Sequence, residues 1–266
     1  MIVELICATV TVAMATLQRD GLQLHYEIHG DATERAPLLL THGFSASGGM
    51  WSPNVDALAS GRQVITWDMR GHADSDTPDD PDAYGVEQSV GDMVALIKLV
   101  GAPRAVLAGM SLGGYLSLAF NGSHPERVAG LILVDTGPGF RRDEPREQWN
   151  AQCERTATRL ESDGVDALPP SPERGAHGSV DGLAHTARRV MAQHDGHVIA
   201  SLAAVTVPTL VVVGADDTNF LAAADYMASH IPGARQVVLA GAGHAANIDA
   251  ADEFNAAVVE FLTDVP

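Results

Sequence analysis

Cysteine and basic side chains are both scarce in this sequence. Its 266 residues include two cysteines, Cys7 and Cys153, which lie far apart and give no spacing typical of a metal site. So few cysteines argue against a disulfide framework and favour a reducing compartment. Asp and Glu total 34 against 16 Lys and Arg, which gives a net charge of −18. Because an acidic surface repels nucleic acids and anionic membranes, we expect neither as a partner.

A clear targeting signal is also lacking. The N-terminal stretch MIVELICATVTVAMATLQ is apolar, and Ala13-Met14-Ala15 resembles a signal-peptidase site. However, Glu4 and the lack of Lys or Arg before that site are untypical of a signal peptide, and the stretch is short for a membrane span. Three interpretations stay open: an N-terminal extension over residues 1–15, a translation start misplaced upstream of Met14, or a weak signal peptide. We expect a cytoplasmic protein, with secretion as the alternative.

Short apolar runs alternate with helical periodicity along most of the chain. Residues 16–29 alternate around Asp20-Gly21, a pattern typical of a β-hairpin. Continuously apolar runs, expected of strands buried on both faces of a parallel sheet, lie at 38–41, 64–67, 105–108, 131–134 and 210–213. Helical patterns cover 86–100, 112–123, 220–231 and 251–262. The alternation predicts an α/β fold with helices on both faces of a parallel sheet.

One region, residues 137–205, shows no strand pattern. It is polar and charged, with helical periodicity at 144–160 and 182–193 and a proline-rich loop between them. We expect a small helical cap inserted over the sheet. Its entry directly after the 131–134 strand favours a lid that shapes a pocket over a packed decoration without a gating role. The predicted organisation is therefore an extension over 1–15, a core formed by 16–136 and 206–266, and a cap at 137–205.

A serine between glycines marks the first candidate for chemistry. Gly109-Met110-Ser111-Leu112-Gly113 fits G-x-S-x-G and lies between a predicted strand and a predicted helix, as that motif requires. A sharp turn of this kind strains the central residue and needs small neighbours. In return it presents a hydroxyl at a helix N-terminus, where a negative oxygen is favoured. The pattern predicts Ser111 as a nucleophile.

A serine nucleophile needs a base and an acid, expected here in the order Ser, acid, His. Asp216 and Asp217 follow the 210–213 strand, and His244 follows a further strand predicted at 236–239. Both places lie beyond the carboxyl ends of strands, where open α/β sheets bind ligands. His42-Gly43-Phe44 follows the 38–41 strand. A backbone N–H there can point at the same spot as that of Leu112, giving an oxyanion two donors.

These motifs together resemble the α/β-hydrolase-fold family over residues 16–265. The matching stretches are THGF, ITWDMRGHADSD, AGMSLGGYLSLAF, HPERVAGLILVDTGP, VPTLVVVGADD and GAGHAANID. The resemblance implies a mostly parallel eight-stranded sheet, Ser111 as nucleophile and His244 as base. It places the acid at Asp217, with Asp216 and then Asp135 as alternatives, and the oxyanion donors at the amides of Phe44 and Leu112. Ala73 departs from the family, whose members usually carry glycine there.

The identity of the predicted nucleophile, serine rather than aspartate, narrows the range of possible reactions. Ser111 argues against dehalogenases and epoxide hydrolases of this fold, which use Asp; carboxylesterases and 3-oxoadipate enol-lactone hydrolases are the nearer resemblance. We expect hydrolysis of a small carboxylic ester or lactone through an acyl-enzyme. The alternatives are a C–C bond hydrolase, a cofactor-free perhydrolase or haloperoxidase-like enzyme, and a small-molecule sensor without turnover. No cofactor is expected.

Metal and pocket residues are less well defined by the sequence. His194-Asp195-Gly196-His197 has ligand-type side chains but no third clustered ligand, so we predict a surface turn and no metal site. For the substrate pocket we expect Met110 beside the nucleophile, and Trp51 and Trp149 on the acyl or lid side. The predicted partner is a small-molecule ester or lactone. The oligomeric state is not predicted.

Overall fold

A single mixed sheet organises the chain. The computed structural model describes residues 12–265, so the prediction for residues 1–11 lies outside the described part. None of the helices in the described part combines the length and apolar character needed to cross a membrane. The strands are β1 (Val12–Arg19), β2 (Leu22–His29), β3 (Leu38–Thr41), β4 (Val64–Trp67), β5 (Ala105–Met110), β6 (Val128–Val134), β7 (Thr209–Gly214) and β8 (Arg235–Leu239).

The strand order is β1-β2-β4-β3-β5-β6-β7-β8. β1 and β2 are antiparallel to each other, β2 is antiparallel to β4, and every later pairing is parallel. The predicted mostly parallel sheet is therefore confirmed. Asp20 and Gly21 form the β1–β2 turn with φ of 53° and 80°, the left-handed backbone that such tight turns need. β1 begins at Val12, four residues before the predicted start of the core at Thr16.

The helices lie on both faces of this sheet, as predicted. They are α1 (Ser52–Leu58), α2 (Val86–Leu99), α3 (Leu112–Ser123), α4 (Asp143–Asp163), α5 (Asp181–Thr186), α6 (His197–Ala200), α7 (Leu221–His230), α8 (Ala246–Asp249) and α9 (Ala251–Thr263), with a π-helical turn at Ala187–Met191.

Alternating side chains of the central strands build two cores. Leu107 of β5 packs with residues of α2, α3 and α7, whereas its neighbours Val106 and Ala108 pack with residues of α1 and α9. β3, β6 and β7 divide their residues in the same way. Strands buried on both faces need apolar residues at every position, which explains the continuous runs in the sequence.

The segment between β6 and β7, which we call the insert (residues 137–205), contains α4 to α6. α4, α5 and the π-helical turn enclose a small core of their own: Ala157, Leu160, Leu183, Ala184 and Ala187. Phe44 of the β3–α1 loop packs against this core. An isolated β-bridge between Ala46 and Arg174 ties the same loop to the insert. The insert therefore lies over the end of the sheet where β3 stops.

Candidate active site

The turn between β5 and α3 holds Ser111 in a strained backbone conformation. Its φ is 51° and its ψ is −115°, outside the regions that L residues favour. The turn is held on both sides, because the Ser111 amide donates to the Val134 carbonyl at 2.9 Å and the Thr136 hydroxyl donates to the Ser111 carbonyl at 2.6 Å. Strain that persists under such constraints is typical of functional sites.

The glycines around Ser111 are dictated by space. A Cβ on Gly109 would lie 2.1 Å from the Gly113 carbonyl oxygen, and one on Gly113 would lie 2.2 Å from the Thr41 carbonyl oxygen. Both contacts are with backbone, which cannot move aside cheaply. The expectation that small residues make room at this turn is confirmed.

Ser111, His244 and Asp217 form one hydrogen-bonded chain. His244 Nε2 lies 3.1 Å from Ser111 Oγ, and His244 Nδ1 lies 2.7 Å from Asp217 Oδ2. Because a carboxylate can only accept, Nδ1 carries the proton and the neutral ring offers Nε2 as an acceptor to the serine hydroxyl. The structure thus brings together three residues from three separate loops, each at the carboxyl end of a strand.

The environment of His244 favours its protonated form. Burial by itself would lower the pKa of His244, but the hydrogen bond and charge of Asp217, with further charge from Asp135 and Glu173, raise it above the ordinary value. The Phe220 ring stacks on the imidazole with centroids 4.9 Å apart. The ring is therefore oriented on one edge by Asp217 and on one face by Phe220.

The two alternative acids lie elsewhere in the hydrogen-bond network. Asp216 is exposed at the start of the loop. Asp135 is fully buried, and its two carboxylate oxygens accept the amides of Gly214 and Ala246, each at 2.8 Å. Those amides belong to the loops that carry Asp217 and His244. Asp135 thus binds the backbone of the loops that carry Asp217 and His244, and it makes no hydrogen bond to the His244 ring.

The β3–α1 loop passes beside Ser111. A Cβ on Gly43 would lie 3.4 Å from the Ser111 Cβ, so this loop runs directly past the serine. Among residues 12–265, the amides of Phe44 and Leu112 donate no backbone hydrogen bond. Unpaired N–H groups near a nucleophile can receive the negative oxygen of a tetrahedral intermediate. The role predicted for Phe44 and Leu112 stays a prediction.

Three histidines hold this loop in place, and no periodic pattern in the sequence indicated them. The Ser45 amide donates to His72 Nε2 at 3.3 Å, and His177 Nε2 lies 2.9 Å from the Ser45 carbonyl oxygen. His42 accepts the Met69 amide on Nε2 at 2.9 Å. Ser45 itself has a φ of 58°. The loop is therefore fixed between the core and the insert, which supplies His177.

All three rings must be neutral to make these bonds. His42 and His72 each accept an amide proton on one ring nitrogen and contact a carbonyl through the other. Burial lowers the pKa of His42 to about 4 and also lowers the pKa values of His72 and His177. The Ala73 amide donates to His177 Nδ1 at 3.1 Å, and Ala73 adopts a φ of 42°. Ala73 therefore adopts a left-handed backbone at the position where the family usually carries glycine.

A cavity of about 480 Å³ opens above Ser111. Its walls come from the turn between β5 and α3, from the segment after β6, from the insert and from the start of α7. The lining residues are Ser111, Leu112, Tyr115, Thr136, Gly137, Pro138, Gly139, Phe140, Trp149, Met191, Gln193, Asn219, Phe220 and Ala223. The serine hydroxyl therefore faces a largely apolar space of a size suited to a small organic substrate.

Two of the three predicted pocket residues need correction. Trp149 lines the cavity, but Trp51 and Met110 do not. Trp51 is fully buried on the opposite face of the sheet, where its ring lies 6.2 Å from that of Phe254. Met110 ends β5 with its side chain in the same core. Trp51 is close in sequence to the β3–α1 loop and Met110 is next to Ser111, but closeness in sequence did not indicate which face of the sheet each side chain occupies.

Titratable side chains also cluster away from this cavity. His194, Asp195 and His197 are exposed in the insert, as predicted for a surface turn. In residues 12–265 the one close group of potential ligands is His25, Asp68 and Asp74. Asp68 is already used by protein donors there: it accepts the Gly48 amide at 2.7 Å and lies 3.1 Å from His25 Nδ1. These contacts explain the group as a loop support.

Comparison with known proteins agrees with this geometry. A family model described as the alpha/beta hydrolase fold matches residues 36–163. "Putative carbamate hydrolase RutD" from Caulobacter vibrioides is 28% identical and aligns with 91% of this chain and 96% of its own length. The crystal structure of the enol-lactonase from Burkholderia xenovorans LB400 is 29% identical with a TM-score of 0.75, covering 94% of this chain and 100% of that one.

A third relative is a thermophilic esterase from Thermogutta terrifontis, 26% identical with a TM-score of 0.79, covering 96% of this chain and 98% of its own. The predicted resemblance to carboxylesterases and enol-lactone hydrolases is therefore confirmed, and the names of the relatives support hydrolysis of ester-like bonds. Sheet topology, family match and relatives agree: the chain has the α/β-hydrolase fold and is similar to esterases and enol-lactone hydrolases of that fold.

Proposed function

We propose that this protein is a serine hydrolase that cleaves small carboxylic esters or lactones through an acyl-enzyme. The observation that carries the proposal is the unbroken chain from Asp217 through His244 to Ser111, which ends at the floor of the cavity. A serine hydroxyl becomes a strong nucleophile only when a base in hydrogen-bond reach can take its proton.

Acylation follows from this arrangement. Ser111 Oγ attacks the carbonyl carbon while its proton moves to His244 Nε2, and Asp217 stabilises the imidazolium. The carbonyl oxygen becomes an oxyanion that accepts from the amides of Phe44 and Leu112. When the C–O bond breaks, the leaving alkoxide takes the proton from His244; in a lactone it stays attached to the acyl group.

Deacylation repeats these steps with water. His244 takes a proton from the water as its oxygen attacks the acyl carbon, and the proton then returns to Ser111 Oγ when the acid leaves. Each proton lost is regained, so the residues named here complete the cycle. The chemistry of Ser111, His244 and Asp217 is the same for esters and lactones, so the substrate choice rests on the cavity.

The test is hydrolysis of p-nitrophenyl esters from acetate to decanoate by wild type and Ser111→Ala. We expect wild-type activity that falls by at least about a thousandfold in the variant, since removing a triad nucleophile abolishes the covalent route. Ser123→Ala is the matched control, because Ser123 is exposed on the same helix and lies outside the cavity. Activity that survives in Ser111→Ala would overturn the nucleophile assignment.

Substrates beyond simple esters come next. The relative named as a carbamate hydrolase makes an aryl carbamate the first addition to the panel, and a small lactone is the second. A wild-type protein inactive on esters, carbamates and lactones would contradict the proposal. It would then be tested for C–C bond hydrolysis, for peracid formation with hydrogen peroxide, and for ligand binding without turnover.

A further inference from the structure

The cavity above Ser111 is lined without a charged side chain. Among the described residues, its walls are formed by aromatic and aliphatic groups, glycines and neutral polar groups. Tyr115, which can ionise, stays neutral because burial raises its pKa to about 12. A carboxylate that enters this space away from His244 would lose water and find no cation among the lining side chains in return, which is costly. The net charge of −18 opposes an anion further.

One polar residue in the cavity wall, Gln193, is held by several hydrogen bonds. Gln193 is buried, and Asn150 binds its backbone twice, donating to the Gln193 carbonyl at 2.7 Å and accepting the Gln193 amide at 2.8 Å. The Gln193 side chain is fixed as well, since its Oε1 accepts the Phe140 amide at 3.2 Å. The residue is thus held at its backbone and at one end of its side chain.

That contact also decides which way the amide points. A backbone N–H can only donate, so the atom facing Phe140 must be the oxygen and the remaining atom must be Nε2. In residues 12–265, Nε2 has no hydrogen-bond acceptor, and Gln193 lines the cavity. Gly139 permits this arrangement, because a Cβ there would lie 2.5 Å from the Gln193 oxygen.

A further hydrogen bond holds the wall beside Gln193. The Trp149 indole donates to the Met191 carbonyl at 2.8 Å, which fixes an aromatic face beside Gln193. Met191 ends the π-helical turn at Ala187–Met191, and turns of this type are frequent at functional sites. A preorganised donor in an apolar wall favours a substrate with an acceptor at that point and disfavours one without it.

We propose that Gln193 is a specificity-determining residue whose Nε2 donates a hydrogen bond to an uncharged acceptor, such as a ketone, ether or hydroxyl oxygen, on an otherwise apolar substrate. The proposal rests on the proposed ester or lactone hydrolysis and names the substrate class for it. The preferred compound is a neutral ester or lactone with a second oxygen function away from the scissile bond.

The first test compares kcat/KM for matched neutral esters with and without a ketone. On the acyl side, p-nitrophenyl pentanoate is compared with two esters that carry a ketone at different chain positions. On the alcohol side, pentyl acetate is compared with the corresponding keto-alkyl acetates. We expect the ketone to raise kcat/KM by about fivefold in at least one pair, the effect of one hydrogen bond. No preference in any pair would overturn the proposal.

The second test assigns that preference to the side chain. Gln193→Met removes the donor, and Gln193→Glu removes it while keeping an oxygen for the Phe140 amide. Both are expected to bring the ketone-to-alkane ratio close to one. The ratio is used because it is insensitive to a general loss of activity. Gln152→Met is the matched control, since Gln152 is exposed on α4, and it should keep the wild-type ratio.

A charged ester completes the design. The p-nitrophenyl half-ester of glutaric acid carries one carboxylate, and we expect its kcat/KM to be at least about tenfold below that of the pentanoate, because the carboxylate is desolvated without a partner. Equal rates would overturn the uncharged substrate class. The pentanoate rate keeps the two proposals apart. Activity on the pentanoate with no ketone preference overturns only the Gln193 proposal, whereas inactivity on esters, carbamates and lactones alike overturns the proposed function.

Discussion

Asp135, at the residue scale, acts through backbone amides. It directly follows β6 with a φ of 44° and is fully buried, and its carboxylate accepts the Gly214 amide on one oxygen and the Ala246 amide on the other. Gly214 precedes the loop of Asp217, and Ala246 follows His244 by two residues. The residue that the sequence offered as a remote alternative acid is therefore a positioning residue for both partners of Ser111.

The first prediction concerns pH and Asp135→Asn. Because His244 must be neutral to act as a base and its pKa is raised, wild-type kcat/KM should fall as pH drops through a value above 6.5. Protonation of Asp135, whose pKa burial raises to about 7, adds to this fall.

The Asp135→Asn substitution removes a negative charge that raises the pKa of His244, so the fall of kcat/KM at low pH, its acid limb, should move to lower pH. It also turns an amide N–H towards an amide donor, so kcat should fall by about tenfold.

The measurement is kcat/KM for a neutral ester between pH 5 and 9. Asp216→Asn serves as the control, because Asp216 is exposed and adjacent to Asp217 but does not bind the amides of Gly214 and Ala246. It should leave the acid limb in place. A lower kcat in Asp135→Asn with an unmoved acid limb would show that Asp135 only stabilises the fold.

At the scale of elements, α3 is packed backbone against backbone on β3 and β5 at the turn that holds Ser111. α3 begins so close to β3 and β5 that neither Gly109 nor Gly113 has room for a methyl group. The opposite end of α3 is different: a Cβ on Gly122 would meet its nearest neighbour, the Ser201 hydroxyl, at 3.8 Å. One helix therefore offers a glycine that is required and a glycine that is not.

The second prediction uses this contrast. Gly113→Ala should destabilise the protein by several kcal/mol, about what overpacking costs in a well-packed core, because the methyl group would meet the Thr41 carbonyl at 2.2 Å. Gly122→Ala should stabilise it by about 0.5–1 kcal/mol, since alanine loses less backbone entropy in a helix. Urea unfolding followed by circular dichroism measures both. A neutral Gly113→Ala variant would mean that α3 can move away from β3.

Element boundaries show which features the sequence could predict. The bounds of β3, β4 and α3 were predicted correctly, because each is a clean pattern between turn residues. β6 begins at Val128 rather than 131, since Gly130 interrupts the apolar run. Its Cβ would lie 3.3 Å from Val265, so the interruption reflects packing that is remote in sequence. The π-helical turn was missed because its side chains keep a helical pattern.

At the scale of the whole molecule, chemistry and recognition differ in how well they can be predicted. Ser111, the pair Asp216 and Asp217, and His244 follow strand ends in a known order, so a linear pattern was enough to propose them. The choice of Asp217 over Asp216 came from the family resemblance. Gln193 and the histidines around Ser45 reach the site from the insert or from a distant loop. Their partners are backbone groups far away in sequence, such as the Phe140 amide. No periodicity encodes those contacts.

The third prediction follows from the net charge of −18. An anionic substrate approaches against the field of the protein, and salt screens that field over about 8 Å at physiological ionic strength. Raising NaCl should therefore increase kcat/KM for the glutaric half-ester and leave that for p-nitrophenyl pentanoate nearly unchanged. Stopped assays between 10 mM and 500 mM NaCl provide the test. Equal salt responses of the two esters would show that the field does not reach the cavity mouth.

Ser45 has a consequence for engineering. Its carbonyl oxygen accepts from the Gly175 amide at 2.9 Å and lies 2.9 Å from His177 Nε2, and both partners belong to the insert. The insert therefore does not behave as an interchangeable module. A chimera that replaces residues 137–205 with those of another hydrolase would leave the Ser45 carbonyl without these two partners. The neighbouring Phe44 amide would then no longer be held in its present position. Grafts that retain residues 174–177 should transfer a new pocket while keeping the β3–α1 loop in its present position.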